Sequence, residues 1–171
     1  VRYRGHDIWE IPPNGSGLIV LQALGILESL GEQSNDQIDT IHRRIEATKL
    51  GYVDGLNYIT ERSSMQPSVE QMLSNEYLSQ RAELIGQDAI DPIHGNPLKG
   101  GTVYLATADD EGNMVSFIQS NFEGFGSGIV VPGTGISLQN RGWSFSLDPQ
   151  HPNALAPGKR TYHTIIPGFI T

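Results

Sequence analysis

Residues 100–128, GGTVYLATADDEGNMVSFIQSNFEGFGSG, limit the fold of this chain more than any other stretch. Val103-Tyr104-Leu105-Ala106-Thr107-Ala108 is a β-favouring run, and residues 114–120 form a second one. Between them, Asp109-Asp110-Glu111-Gly112-Asn113 reads as a turn, because Gly and Asn tolerate positive φ. Together they predict a β-hairpin whose first strand begins at Thr102 and which a glycine-rich loop, 124–128, closes. The chain before Thr102 reads as mostly helical, and the chain after it as antiparallel β and loop. The expected fold class is therefore α+β.

The helical half carries its own punctuation. Residues 1–11 hold two short β-like runs around Gly5, and Pro12-Pro13-Asn14-Gly15-Ser16-Gly17 is a loop in which Ser16 is placed to cap the next helix. Residues 18–30 are apolar on nearly all sides, which predicts a buried helix ended by Gly31 at its C′ position. Ser34 and Gln37 have capping-box spacing. Ile38, Ile41, Ile45, Thr48 and Tyr52 then recur at helical spacing, predicting an amphipathic helix to about Ile59 with that stripe inward. Two shorter helices follow, 68–74 and 75–85, the first capped by Ser68. Pro92, Gly95 and Pro97 mark residues 86–99 as a surface loop leading to Thr102. Beyond the hairpin, 129–131, 136–138 and 161–166 read as short strands.

Composition narrows the function classes. The 171 residues suffice for one core, yet only 37% are hydrophobic and Gly 20 plus Pro 10 is high. A formal charge of −8 argues against a nucleic-acid partner. With no cysteine there is no disulfide, thiolate metal site or Cys nucleophile. The five histidines lack paired-ligand spacing, so neither a metal nor another cofactor is expected. Residues 109–113 lack the spacing of a calcium loop, and 124–128 lack the following Lys of a phosphate loop. No apolar run is long enough for a bilayer span, so no membrane partner is expected. The chain starts without Met inside a strand-like run and stops in an apolar one, as a piece of a larger protein would, and the compartment stays open.

Thr102 is the residue to which chemistry can be attached. A strand-initial threonine becomes a nucleophile when its own α-amine is free to act as the general base. That requires a break between Gly101 and Thr102, and Gly100-Gly101 gives the backbone the freedom for an N→O acyl shift. A threonine that merely begins a strand explains the same spacing, and on spacing alone it is the plainer reading.

More of the sequence bears on this choice. Tyr3-Arg4-Gly5, the 12–17 loop, Ile26-Leu27-Glu28, Thr102, Gly112-Asn113, Phe125-Gly126-Ser127-Gly128-Ile129, Gly135-Ile136-Ser137-Leu138-Gln139-Asn140 and Pro157-Gly158-Lys159-Arg160 occur in an order that resembles the γ-glutamyltranspeptidase family. These are N-terminal-nucleophile hydrolases that cut themselves into a large and a small subunit. The resemblance covers nearly the whole chain. It implies a four-layer αββα sandwich, with residues 1–101 from the end of the large subunit, 102–171 from the start of the small one, and both parts of one domain.

The resemblance also implies roles. Thr102 stands at the nucleophile position, after Gly101 at the cleavage junction, and Ser120 at that of a supporting hydroxyl. Asn121 lies beside the position of a substrate-binding Asn, which strict counting gives to Phe122. Arg141 and Ser144 stand where glutamyl-specific members use Gln and Asp to hold an α-amino group, and a serine offers no full counter-charge. His163 and Thr164 replace a Ser-Ser pair that holds the α-carboxylate. The implied activity is amide hydrolysis or acyl transfer on γ-glutamyl amides such as glutathione. A cephalosporin-type acylase is the near alternative, and a non-catalytic relative serving packing or partner binding is the other. The family's oxyanion glycines and a carboxylate-clamping arginine fall outside these residues, so the piece alone is expected to be weakly active or inactive. The expected partners are the small acyl-amide substrate, the remainder of the parent enzyme and, through open sheet edges, a second copy.

Overall fold

The computed structural model describes residues 1–31, 36–91 and 101–171, and for Gly101 and Thr102 it describes the backbone. Two strands open the chain, β1 (Arg2–Tyr3) and β2 (His6–Trp9), paired antiparallel across the turn at Arg4 and Gly5. Helix α1 (Gly17–Ser29) follows. It ends as its sequence predicts: Gly31 has φ +76°, where a side chain would be strained, and its N–H donates to the Glu28 carbonyl at 3.1 Å. Ser16 precedes α1 but makes no side-chain cap, and its hydroxyl is hydrogen-bonded to Tyr162 instead.

Helix α2 (Gln37–Tyr58) corrects two expectations. Its N-cap is Asp36, whose carboxylate accepts from the Ile38 N–H at 2.9 Å. Ser34, proposed as that cap, lies outside the described residues, as do Gly100 and residues 92–99 of the loop. The predicted inward stripe is also turned around: Ile38 is 78% exposed, and Ile41, Ile45 and Tyr52 are exposed too. The buried face is instead Glu46, Ala47, Leu50, Gly51, Asp54 and Gly55. Its glycines explain the choice. A Cβ on Gly55 would lie 2.4 Å from Cγ1 of Ile19 and one on Gly51 2.8 Å from the Ile19 carbonyl, so only a bare backbone lets α1 come this close.

Helices α3 (Val69–Met72) and α4 (Asn75–Ala82) complete the helical half. Ser68 caps α3 in a full capping box with Gln71, and Ser74 caps α4. Leu18, Ile19, Ile59, Met65, Met72 and Tyr162 form one apolar cluster. Ile26, Ala47, Leu50, Leu78 and Ala82 form another along α1.

The hairpin is present as β3 (Gly101–Ala108) and β4 (Met114–Phe122). Its turn uses different chemistry from that expected. Gly112 has φ +86°, but Asn113 is not left-handed; it donates its backbone and side-chain N–H groups to the Asp109 carboxylate at 2.8 and 2.7 Å. Of the later runs, 129–131 and 136–138 meet through a single bridge, Val130 to Ser137. Residues 161–166 are not a strand; they touch one backbone position, His163 beside Gly15. The last strand is β5 (Phe169–Ile170), which pairs antiparallel with β2 and makes a small sheet of order β1-β2-β5. Pairing between residues so far apart is long-range and has no periodic signature in a two-residue strand.

Candidate active site

The site is organised by an irregularity in the hairpin. Thr102 pairs with Ser120 and each later residue of β3 pairs in step, but Gly101 pairs with Phe122. Asn121 is therefore the extra residue of a β-bulge that falls between Gly101 and Thr102, the bond the sequence marks for cleavage. Phe122 has φ +76°, an unusual conformation for a bulky residue, and its N–H donates to the Ser120 hydroxyl at 2.9 Å. Ser120 thus fastens the bulge from the position facing Thr102. The Asn121 carbonyl accepts from the Asn140 N–H at 3.3 Å, which brings the next loop against the bulge.

That loop carries a 3-10 turn, Arg141–Ser144. The Arg141 guanidinium lies over the Phe122 ring, 5.1 Å from its centre, and donates to the Thr164 hydroxyl. Arg141 is 5% exposed, and burial lowers its pKa from the ordinary value. The Trp143 ring is tilted against Phe122 at 6.2 Å and is otherwise open. The Ser144 carbonyl accepts from the Thr161 hydroxyl at 2.8 Å.

The segment 161–164 is held from three sides. The Thr161 carbonyl accepts from the Asn14 amide at 2.6 Å, and the His163 N–H donates to the Asn14 carbonyl at 2.9 Å. Asn153, buried, accepts from the Tyr162 N–H at 3.0 Å while its amide donates to the Ile59 carbonyl at 2.9 Å. Neither asparagine stood out in the sequence, because an Asn in a Pro-rich loop looks like any turn residue; their work is visible only through partners far along the chain. Thr164 and Phe122 also border an apolar groove of about 710 Å³ that runs to Tyr104, Ile118 and Ile166.

Thr102, Ser120, Asn121, Arg141, Ser144, His163 and Thr164 thus fall on one hairpin end and the two segments joined to it by Asn140, Arg141 and Thr161. The model of the family described as gamma-glutamyltranspeptidase matches residues 1–171. The chain belongs to the gamma-glutamyltranspeptidase family. Relatives in this family include the oxamate amidohydrolase proenzyme of Klebsiella pneumoniae, 42% identical over 98% of this chain and 32% of its own length. The glutathione hydrolase-like YwrD proenzyme of Bacillus subtilis is 39% identical, with the same coverage. The crystal structure of cephalosporin acylase from Bacillus halodurans is 61% identical and superposes with a TM-score of 0.89 over 100% of this chain and 31% of that one. The chain therefore spans about a third of the length of these relatives. The α+β class and its place as part of the N-terminal-nucleophile hydrolase sandwich follow from that superposition.

The His163 imidazole is pushed down from 6.5 to about 4, first by burial and then by the Arg141 charge. Its Nδ1 accepts from the Ile165 N–H at 3.3 Å, which suits a neutral ring protonated on Nε2. The folded state holds this proton less tightly than the unfolded one. The stability His163 contributes is therefore complete above pH 6.5 and is lost as pH falls toward about 4. In the parent enzyme, His163→Asn is expected to reduce the drop in urea midpoint between about pH 7 and about pH 4.5. Equal drops in variant and wild type would count against it.

Proposed function

We propose that the parent of this chain is a self-processing amide hydrolase or acyltransferase with Thr102 as its nucleophile. The observation that carries the reading is the position of Thr102. It is the first residue in regular register after the bulge, opposite Ser120, in a chain of this family. In processing, the Thr102 hydroxyl attacks the Gly101 carbonyl, the peptide bond becomes an ester, and water releases a new α-amine. That amine then takes the hydroxyl proton as the oxygen attacks the substrate amide. The bond to the amine half breaks, the amine leaves with the proton, and water or an acceptor amine removes the acyl group. Ser120 holds the bulge and supports the nucleophile. Asn121, Arg141, Ser144, His163 and Thr164 line the acyl side. Residues 1–101 and 102–171 are then pieces of two subunits of one domain.

For the acyl donor, γ-glutamyl amides such as glutathione are the family's reading, and the B. subtilis relative's name supports it. The names of the other relatives, an oxamate amidohydrolase and a cephalosporin acylase, support acyl groups other than glutamyl. One feature of the site favours a non-glutamyl acylase: Arg141 and Ser144 put a cation and a neutral hydroxyl where an ammonium would need an anion. The test is the intact mass of the purified parent enzyme. Two chains, one beginning at Thr102, are expected, and a fully active enzyme that remains a single chain would overturn the reading.

The remainder of the parent enzyme is the proposed partner of the exposed apolar surface, which includes Ile38 and Ile45 on α2 and Val103, Leu105 and Phe117 on the hairpin. Without that cover, the open edges of β3 and β4 are expected to make the isolated piece self-associate. Light scattering that finds a monomer at roughly tens of micromolar would count against this.

A further inference from the structure

We propose that Arg141 is an anion receptor for the acyl half of the substrate, so that the site selects monoamides of short dicarboxylic acids that carry no α-ammonium. The inference rests on the reading of Thr102 as the nucleophile and goes beyond it by naming the substrate class.

The starting point is a cation without an anion. A guanidinium has five N–H donors. Among the described residues, the hydrogen-bond partner of the Arg141 side chain is the Thr164 hydroxyl, which is neutral, and the ion pairs there involve other cations. Its flat face is covered by Phe122. Burying an uncompensated charge is unfavourable, and a buried Arg normally has a carboxylate. Its remaining donors are not sealed in, however: among the described residues, the side-chain atoms both sealed and unpartnered are Glu10 Oε2 and Gln22 Oε1. The guanidinium edge therefore has access to an incoming ligand.

Its surroundings specify the ligand's charge. Glu123 follows Phe122 in sequence, but its carboxylate accepts from the Asn140 amide at 3.0 Å. Thr164, Ser144 and Asn140 are neutral, and His163 is neutral at physiological pH. An ammonium placed here would face Arg141 with no anion to hold it, whereas a carboxylate can take two parallel N–H bonds from the guanidinium edge. The place is also right. Phe122, on which Arg141 is stacked, pairs with Gly101, one residue before the proposed nucleophile. Trp143, 65% exposed and tilted on Phe122, offers an apolar wall for a methylene linker between the scissile amide and the terminal carboxylate.

The competing occupant of Arg141 is a carboxylate from the part of the parent enzyme beyond this chain, and the experiment separates the two. The complete parent enzyme is assayed with glutaryl p-nitroanilide and with the methyl ester of the same compound, which removes only the negative charge. The wild type is expected to prefer the free acid in kcat/KM by about 10- to 100-fold, the effect of a charge-assisted pair. Arg141→Gln is expected to bring that ratio close to one, and Arg141→Lys to keep part of it. No preference in the wild type, an unchanged ratio in Arg141→Gln, or an equal loss on both substrates overturns the proposal, the last because it means Arg141 is paired internally. Should Arg141→Gln fail to fold, wild-type inhibition decides: glutarate is expected to compete at about tenfold lower concentration than glutaramide, and equal inhibition overturns the proposal. Thr102→Ala is run beside these. Turnover in Thr102→Ala refutes the nucleophile reading itself, whereas a dead Thr102→Ala with an unchanged Arg141→Gln ratio refutes only the inference about Arg141.

Discussion

Thr102→Ala in the complete parent enzyme is expected to leave one uncut chain and to lower kcat by about ten-thousandfold or more, the scale seen when a covalent nucleophile is removed. Both losses have one cause. The same oxygen opens the bond to Gly101 and attacks the substrate, so the variant has neither a free α-amine nor an attacking atom. Thr102→Ser keeps the oxygen and is expected to process and turn over, more slowly. The pair of variants is informative because the hairpin register does not depend on the hydroxyl: β3 and β4 are held by backbone bonds from Thr102–Ser120 to Ala108–Met114. Intact mass, N-terminal sequencing and anilide turnover read the outcome. Wild-type processing in Thr102→Ala would mean that a different residue makes the cut.

The second large effect lies away from the site. Asp54, on α2, is 3% exposed. Its carboxylate accepts from the Gln22 amide at 3.2 Å, the Tyr77 hydroxyl at 2.8 Å and Arg81 Nε at 3.0 Å, and Arg81 Nη2 donates to its other oxygen. Burial, then Asp54, raises the Tyr77 pKa, which keeps that hydroxyl a donor. This one carboxylate ties α1, α2 and α4 together. Asp54→Ala leaves Arg81, whose side chain is 19% exposed, with no counter-charge and strands the other two donors. The expected cost in the parent enzyme is about 3–5 kcal/mol, read from the urea midpoint. Asp54→Asn keeps acceptor capacity and is expected to cost less. In contrast, the exposed pair Arg62 and Glu70 is expected to be removable with no measurable shift. An Asp54→Ala midpoint equal to wild type would show that the cluster is dispensable.

Elements set by neighbouring residues were legible in the sequence. The hairpin, the Gly31 stop of α1 and the Ser68 capping box each rest on chemistry within a few residues, and each is present. Elements set by distant contacts were not. The period of α2 was correctly helical, but period does not say which face meets a neighbour; Gly51 and Gly55 decided it by admitting the Ile19 backbone, and the isoleucines went outward. Residues 161–166 have strand composition, yet Asn14 and Asn153 claim their backbone groups, leaving only one bridge. In the site, the resemblance named Arg141 and Thr164 separately. Their hydrogen bond, and the Phe122 ring beneath the guanidinium, depend on a bulge that no sequence pattern announces.

The pairing of β2 with β5 has a consequence for an enzyme that severs itself. Ile8 and Trp9 are laced to Ile170 and Phe169, and Asn14 and Ile59 grip Thr161 and Asn153, so residues on both sides of the Gly101–Thr102 bond are bound to each other elsewhere. Hydrolysis of that bond would leave a nick rather than two separate molecules. The newborn amino terminus would stay tethered beside Ser120, and the halves would travel together through a sizing column and part only in denaturant.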